Sequence, residues 1–369
     1  MKAFGHRIVL KLGAISRYRI KLMVMTALFW TIIDTGVYLY KFFRDHINEA
    51  IDPFDMHTSA VLLLRTGLVF IICLAMAYLL IYQLKHLVRN LPLGLGLLIK
   101  SILLVGAAFL LNYILHYTYI WLIEKEPLTT ELGHNYYKTF QSSLFFSQWI
   151  RWLITFLVTI LIIEVNEKYS PGVFLDILAG RYLTPKNEKR TVIFIDLVDS
   201  TTIAEQLGHK KYFRFIRDFI YFISIALLEN DGQIYQYVGD EVVASWVVKN
   251  SNANKKCLQA LLDCKRLLKR NNKYFKRQYG FVPEFRAGIH TGEVTIGEIG
   301  VIKKDLAMSG DTMNTAARLR SATSELNQQV ITSKAFVSQT NLKNWQFANL
   351  GLVDLKGKES AMELYALKF

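Results

Sequence analysis

Thr191-Val192-Ile193-Phe194-Ile195-Asp196-Leu197 is an apolar run of strand length with one acid near its end. β-Branched and aromatic residues in so short a run favour a buried strand over a helix. Working outward, amphipathic periodicity predicts a helix over about 203–228. Residues 232–238 and 241–247 read as a hairpin whose turn contains Gly239 and Asp240. A second helix is expected over about 254–277, strands at 284–289 and 292–298, and a short helix from about Asp311. Strand, helix, hairpin, helix, strand is the order of a ferredoxin-like α+β sheet with added elements.

In that topology the end of the first strand meets the tip of the hairpin, which brings Asp196 to Asp240. Two carboxylates on neighbouring backbone turns, with few cations nearby, suit two magnesium ions on a triphosphate. An acid at a strand end also serves as a turn or cap residue, so the surrounding residues have to decide.

Those surroundings resemble the catalytic domain of class III adenylate and guanylate cyclases over roughly residues 188–369. Phe194-Ile195-Asp196-Leu197-Val198-Asp199-Ser200-Thr201 is similar to the family's first metal motif, and Val238-Gly239-Asp240-Glu241-Val242 to its second. Phe285-Arg286-Ala287-Gly288-Ile289-His290-Thr291-Gly292 resembles the strand whose Arg contacts the triphosphate. Ser309-Gly310-Asp311-Thr312-Met313-Asn314-Thr315-Ala316-Ala317-Arg318-Leu319 resembles the helix whose Asn orients the ribose and whose Arg stabilises the pentavalent phosphorus. Leu355-Lys356-Gly357-Lys358 resembles the late loop whose first Lys binds phosphate. The resemblance implies metal ligation by Asp196, Asp240 and the Leu197 position, with two Mg2+ or Mn2+ ions per site. It assigns Arg286 to substrate, and Asn314, Arg318 and Lys356 to catalysis. It also implies a homodimer with composite active sites, the metal aspartates and Arg286 coming from one protomer and the Asn, Arg and Lys from its partner.

Base selection in the family depends on a residue four before the second metal Asp and another seven before the Asn. Adenylate cyclases place Lys with Asp or Thr there, and guanylate cyclases Glu with Cys; here the positions hold Gln236 and Ala307. An amide donates or accepts and Ala does neither, so the pair does not spell a purine. ATP is the expected substrate, with GTP and pyrimidine triphosphates left open. A diguanylate-type polymerase would carry a Gly-Gly-acidic turn at the hairpin, which Val238-Gly239-Asp240-Glu241 does not match. A silent nucleotide-binding receptor has no chemical reason to keep Asp196, Asp240, Asn314 and Arg318 together.

The first half is a different kind of chain. Of the 369 residues 52% are hydrophobic, and the excess concentrates before residue 165. Four stretches reach bilayer-spanning length, roughly 22–40, 60–82, 98–123 and 144–164. Residues 1–21 and 83–91 carry basic residues without acids, whereas 41–57 and 124–142 are rich in acids. The positive-inside bias therefore puts the N-terminus and the C-terminal half in the cytoplasm of a multi-pass protein of the plasma (inner) membrane. No cleavable signal is read at the N-terminus. Asp34, Arg65, His116 and Arg151 fall within these spans at comparable depth; Asp34 with Arg65 is the expected pair, and a polar pocket with His116 and Arg151 the alternative to simple snorkelling. A transporter reading rests on these charges alone, without repeated broken helices.

The expected organisation is thus a four-span domain over 1–165, a linker over 166–190 and a catalytic domain over 191–369. Pro171, Gly172, Gly180 and Pro185 punctuate the linker, and Val173, Phe174, Ile177 and Leu178 allow a short amphipathic helix within it. Cys73, Cys257 and Cys264 have neither disulfide nor zinc spacing. The formal charge of +14 sits largely beside the membrane, without the basic stripe and interleaved aromatics of a nucleic-acid binder.

Overall fold

A computed structural model describes residues 14–45, 56–84, 88, 91–119, 143–167, 177, 179–249, 252–302, 304–340 and 345–368. The chain divides into two compact units, one of residues Ser16–Lys168 and one containing Tyr169–Phe369.

The first unit contains helices α1 (Ala14–Asp45), α2 (Met56–Tyr78, continuing as a π-helix through Leu84), α3 (Leu93–Tyr119) and α4 (Ser143–Glu167). Its interior is apolar, with Trp30, Cys73, Met76, Leu104, Phe156 and Ile160 packed together. Its exterior is apolar as well: Ile32, Leu63, Ile71, Leu110 and Leu161 are all exposed. A helical unit with apolar residues on both sides is what lipid solvates. Among the described residues three helices are long and apolar enough to cross a bilayer, Ala14–Tyr40, Leu62–Leu84 and Trp149–Asn166. This is one fewer than expected. In the expected third span α3 runs on to Tyr119, but the side chains of 111–119 and all of 120–123 lie outside the described residues, and Gly94–Leu110 counts there as a shorter apolar helix.

Polar groups in this unit find each other, because unpaired charge in hydrocarbon is costly. Arg65 Nη2 donates to Asp34 Oδ2 at 2.6 Å, and its guanidinium lies 4.2 Å from the centre of the Tyr38 ring. Lys100 pairs with Glu164, and Trp30 Nε1 donates to Thr159 Oγ1 at 3.0 Å. Arg151 is half-buried on α4. The His116 side chain, most of the two acid-rich loops, most of the basic 83–91 loop and the linker helix apart from Ile177 lie outside the described residues.

The second unit is an eight-stranded sheet with helices on both faces. Its strands are β1 (Lys186–Leu197), β2 (Gln233–Val238), β3 (Glu241–Val247), β4 (Phe285–Ile299), β5 (Asp305–Ser309), β6 (Val330–Ser333), β7 (Gln346–Val353) and β8 (Met362–Lys368). They lie in the order β2-β3-β1-β4-β6-β8-β7, with β5 on the far end of β4. Alternation along β1 sends Ile193, Ile195 and Leu197 to one face, under α6 (His209–Glu229) and α7 (Asn252–Arg270), and Val192 to the other, toward α9 (Asp311–Glu325).

The elements differ from expectation in three places. The helix read over 203–228 is two, α5 (Ser200–Leu207) and α6, because Gly208 adopts a left-handed φ of 68° between them. The helix read over 254–277 breaks likewise at Asn271, whose side chain donates to the Leu267 carbonyl at 2.7 Å, before α8 (Asn272–Tyr279). The two strands read at 284–289 and 292–298 are one, since β1 starts at Lys186 and pairs with β4 along its whole length. Residues 186–190, expected in the linker, are therefore strand. Arg190 is only 2% exposed there; its guanidinium is taken up by Glu188 at 2.7 Å, Gln233 at 2.7 Å and Ser245 at 2.8 Å. Buried charge is tolerated when it is paired in this way.

Candidate active site

The register of β1 assembles the acidic half of the site. Asp196 lies directly across from Arg286 on β4, and on its other side Ile195 opposite Val242 carries it to the tip of the β2–β3 hairpin. That tip is closed by Gly239, at φ 62°, followed by Asp240. Burial, and after it the neighbouring Asp240 charge, holds the Asp196 carboxyl above the usual carboxylate range, against the pull of Arg320 and Arg286. Burial likewise raises Glu241. Among the described residues Asp240 Oδ2 and Arg286 Nε, both buried, have no hydrogen-bond partner.

Two half-buried carboxylates pressed together, one with an orphaned oxygen, suit a divalent cation. The donor set is small, because among the described residues no three His, Cys, Asp or Glu side chains gather around one point. The Leu197 side chain is buried in the core, so only its backbone carbonyl is on offer as a further ligand.

Helix α9 forms the other half. It crosses β4 over two glycines: a Cβ on Gly288 would fall 2.2 Å from Arg320 N and 2.4 Å from Ala316 O, and one on Gly292 would fall 2.4 Å from Thr312 Oγ1. Four strand residues and eight helix residues both span about 12–13 Å, so the two contacts fix one antiparallel alignment. Asn314 is then exposed and Arg318, one turn later on the same side, is half-buried. Arg318 Nη2 reaches toward Gly357, where a Cβ would meet it at 3.1 Å. Lys358 closes this loop onto α9 through Asp311, at 2.7 and 2.6 Å to the two carboxylate oxygens, and this bond lowers the Asp311 pKa. Lys356 is left exposed. Beneath the loop, His290 Nδ1 lies 2.6 Å from Ser333 Oγ, and burial, assisted by Lys358, pushes its imidazole down to about 4.

Gln236 sits exposed on β2 opposite Val243, beside a bulge, and Ala307 sits on β5 opposite Gly297. Their neighbours touch: Met308 N donates to Tyr235 Oη at 3.1 Å, which ties the two segments together.

The candidate residues thus fall into two groups. Asp196, Asp240 and Arg286 meet at the ends of β1, β4 and the hairpin. Asn314, Arg318 and Lys356 line α9 and the 355–358 loop. Among the described residues no hydrogen bond or ion pair joins the two groups within the chain. Sequence reasoning missed Glu241, Arg320, Lys358, His290 and Tyr235. Lys358 and Arg320 each stand two residues beyond a recognised cation, but only the fold tells which way they point.

An α+β sheet with a metal-capable acid pair at one edge of β1 and an Asn/Arg helix laid over paired glycines defines the class of domain. A family model for the adenylate and guanylate cyclase catalytic domain matches residues 183–369, and the chain belongs to that family. Adenylate cyclase 2 of Rhizobium meliloti (strain 1021) is 32% identical over 209 residues, covering 56% of this chain and 58% of that protein. The adenylate cyclase of Anabaena cylindrica is 26% identical over 218 residues, 55% of this chain and 42% of that protein. The chain therefore spans less than two thirds of these relatives. A bacterial light-regulated adenylyl cyclase of known structure shares the fold, with a TM-score of 0.53 at 19% identity, over 62% of this chain and 67% of that one.

Proposed function

We propose that this chain is a membrane-bound adenylate cyclase, converting ATP to 3′,5′-cyclic AMP and pyrophosphate in a homodimer with two composite sites. The observation that carries the reading is the meeting of Asp196 and Asp240, with Asp240 Oδ2 buried and, among the described residues, without a hydrogen-bond partner. Asp196, Asp240 and the Leu197 carbonyl would hold two Mg2+ or Mn2+ ions, which supply Lewis-acid charge to acidify the 3′-hydroxyl and shield the phosphates.

The chain's own residues do the rest. Arg286, cross-strand from Asp196, binds the triphosphate on the acidic side. From the partner, Asn314 orients the ribose, and Arg318, four residues on, offsets the charge that develops as the 3′-oxygen attacks the α-phosphorus. Lys356 binds phosphate, with the Lys358–Asp311 contact holding its loop against α9. Gln236 meets the base edge with an amide, while Ala307 leaves that side without a polar reader. Adenylate cyclases among the relatives support ATP over GTP.

Four spans would anchor this machinery in the plasma membrane with the N-terminus and the catalytic unit in the cytoplasm. The 166–190 segment would act as transducer between the spans and the catalytic domain. The test is to purify the full chain in detergent, supply Mg2+ or Mn2+ with each ribonucleoside triphosphate in turn, and identify products by mass spectrometry. Cyclic AMP that disappears in Asp240→Ala supports the reading. A different cyclic product overturns the base assignment, and no turnover of any triphosphate overturns the activity.

A further inference from the structure

Arg320 is the one guanidinium in ion-pair contact with the metal-capable acids, among the described residues. Its Nη1 lies 3.5 Å from Asp196 Oδ2, and its Nε lies 2.7 Å from Glu241 Oε2. The second contact is a pairing of charges without hydrogen-bond alignment: among the described residues neither buried atom, Nε or Oε2, has a hydrogen-bond partner. The side chain is 29% exposed, and those of Asp196 and Glu241 are 19% and 11% exposed.

We infer that Arg320 is a positioning residue of the metal centre, an internal cation that neutralises Asp196 and Glu241 in the metal-free protomer and sets how tightly a divalent ion is held there. The inference rests on the proposed function.

Three features support it. First, the guanidinium cannot drift with its backbone, because Gly288 seats Arg320 N and Cα directly on β4. Second, two residues on a helix are about 200° apart, so Arg318 and Arg320 leave α9 on opposite sides. Arg318 goes to the Gly357 loop and Arg320 to the carboxylates of its own chain. One helix thus delivers a catalytic cation to one composite site and a positioning cation to the other. Third, the contacts are imperfect. A 3.5 Å ion pair to Asp196 and a misaligned one to Glu241 hold the acids together while leaving Asp240 Oδ2 open to another cation.

A cation fixed this close to the ligands competes with the ion, so its removal strengthens metal binding. The test uses the full chain in detergent without nucleotide, titrating Mn2+ and reading free Mn2+ by electron paramagnetic resonance, with melting temperature in chelator and in Mn2+ as a second readout. Losing one charge at roughly 4 Å predicts that Arg320→Gln binds Mn2+ at least about tenfold more tightly. It should also melt lower than wild type in chelator, recover in saturating Mn2+, and be mimicked by Arg320→Lys only weakly. Glu241→Gln, which frees the guanidinium for Asp196, should shift Mn2+ affinity the opposite way and serves if Arg320→Gln does not fold. Arg320→Gln with unchanged Mn2+ affinity and an equal melting loss in chelator and Mn2+ overturns the inference in favour of a purely structural pair. So does Glu241→Gln with unchanged or tighter binding. Asp240→Asn separates the two levels: if wild-type Mn2+ binding survives that change, the metal reading itself fails and the inference falls with it.

Discussion

Gly288→Ala tests the packing on which both halves of the site depend. A Cβ there would stand 2.2 Å from Arg320 N, 2.4 Å from Ala316 O and 2.8 Å from Arg320 Cα. All three are backbone atoms, so no side chain can swing away, and α9 must rise by about 1 Å to restore ordinary contact. Overpacking of this kind costs about 1–3 kcal/mol of stability. The effect on catalysis should be larger, because α9 carries Asn314 and Arg318 and a misplacement of about 1 Å can cost about a hundredfold in rate. The expected result is a modest fall in melting temperature with a roughly hundredfold fall in kcat and a smaller change in KM. Gly239→Ala is the contrast, since its Cβ would meet nothing within 4 Å and the cost is confined to the left-handed φ of 62°, about 1–2 kcal/mol. Wild-type melting and kcat in Gly288→Ala would refute the argument that glycine at this position sets the height of α9.

His290 gives a pH dependence with a definite sign. Its pKa is about 4 in the fold against 6.5 when unperturbed, so between these values the unfolded chain binds the extra proton. The contribution of His290 to stability is therefore full above about pH 6.5 and falls as pH drops toward 4, by up to about 3 kcal/mol. Chemical denaturation across that range should show the slope in wild type and its loss in His290→Asn. Lys358→Ala should barely alter stability, because its partner Asp311 is 69% exposed, while raising KM for the triphosphate several-fold as the 355–358 loop loosens. In the membrane unit, Asp34→Leu or Arg65→Leu alone should lower folded yield and melting temperature sharply, with the double apolar replacement recovering much of the loss. Single variants indistinguishable from wild type would contradict the pairing.

The central sheet was legible because β1 and the hairpin state their period openly: Ile193, Ile195 and Leu197 alternate against Val242, Ala244 and Trp246 across one buried face. The junction of Asp196 with Asp240 followed from that register, and the segment holding Arg286 from the resemblance. What stayed hidden depends on long-range partners. Lys186–Arg190 reads as a solvated charge run, and becomes strand because Gln233, Ser245 and Glu188 together accommodate a buried Arg190. Arg320 reads as one more surface cation on α9, and turns inward only because Gly288 fixes the helix against β4. The breaks at Gly208 and Asn271 were visible as residue types, but unbroken apolar periodicity on either side outweighed them. The span-length apolar runs were legible from hydropathy alone, and three of them stand among the described residues as helices long and apolar enough to cross a bilayer.

The most direct test of the account is complementation between two inactive full-length variants, Asp240→Ala and Asn314→Ala, coexpressed with different tags and copurified in detergent. Each homodimer has two broken sites, but a heterodimer has one site with both defects and one with none. Random pairing then predicts cyclic AMP synthesis at about a quarter of the wild-type rate, confined to the doubly tagged fraction. Activity absent from the heterodimer, or present in either variant alone, would contradict a composite site built from Asp196 and Asp240 of one protomer and Asn314 and Arg318 of its partner.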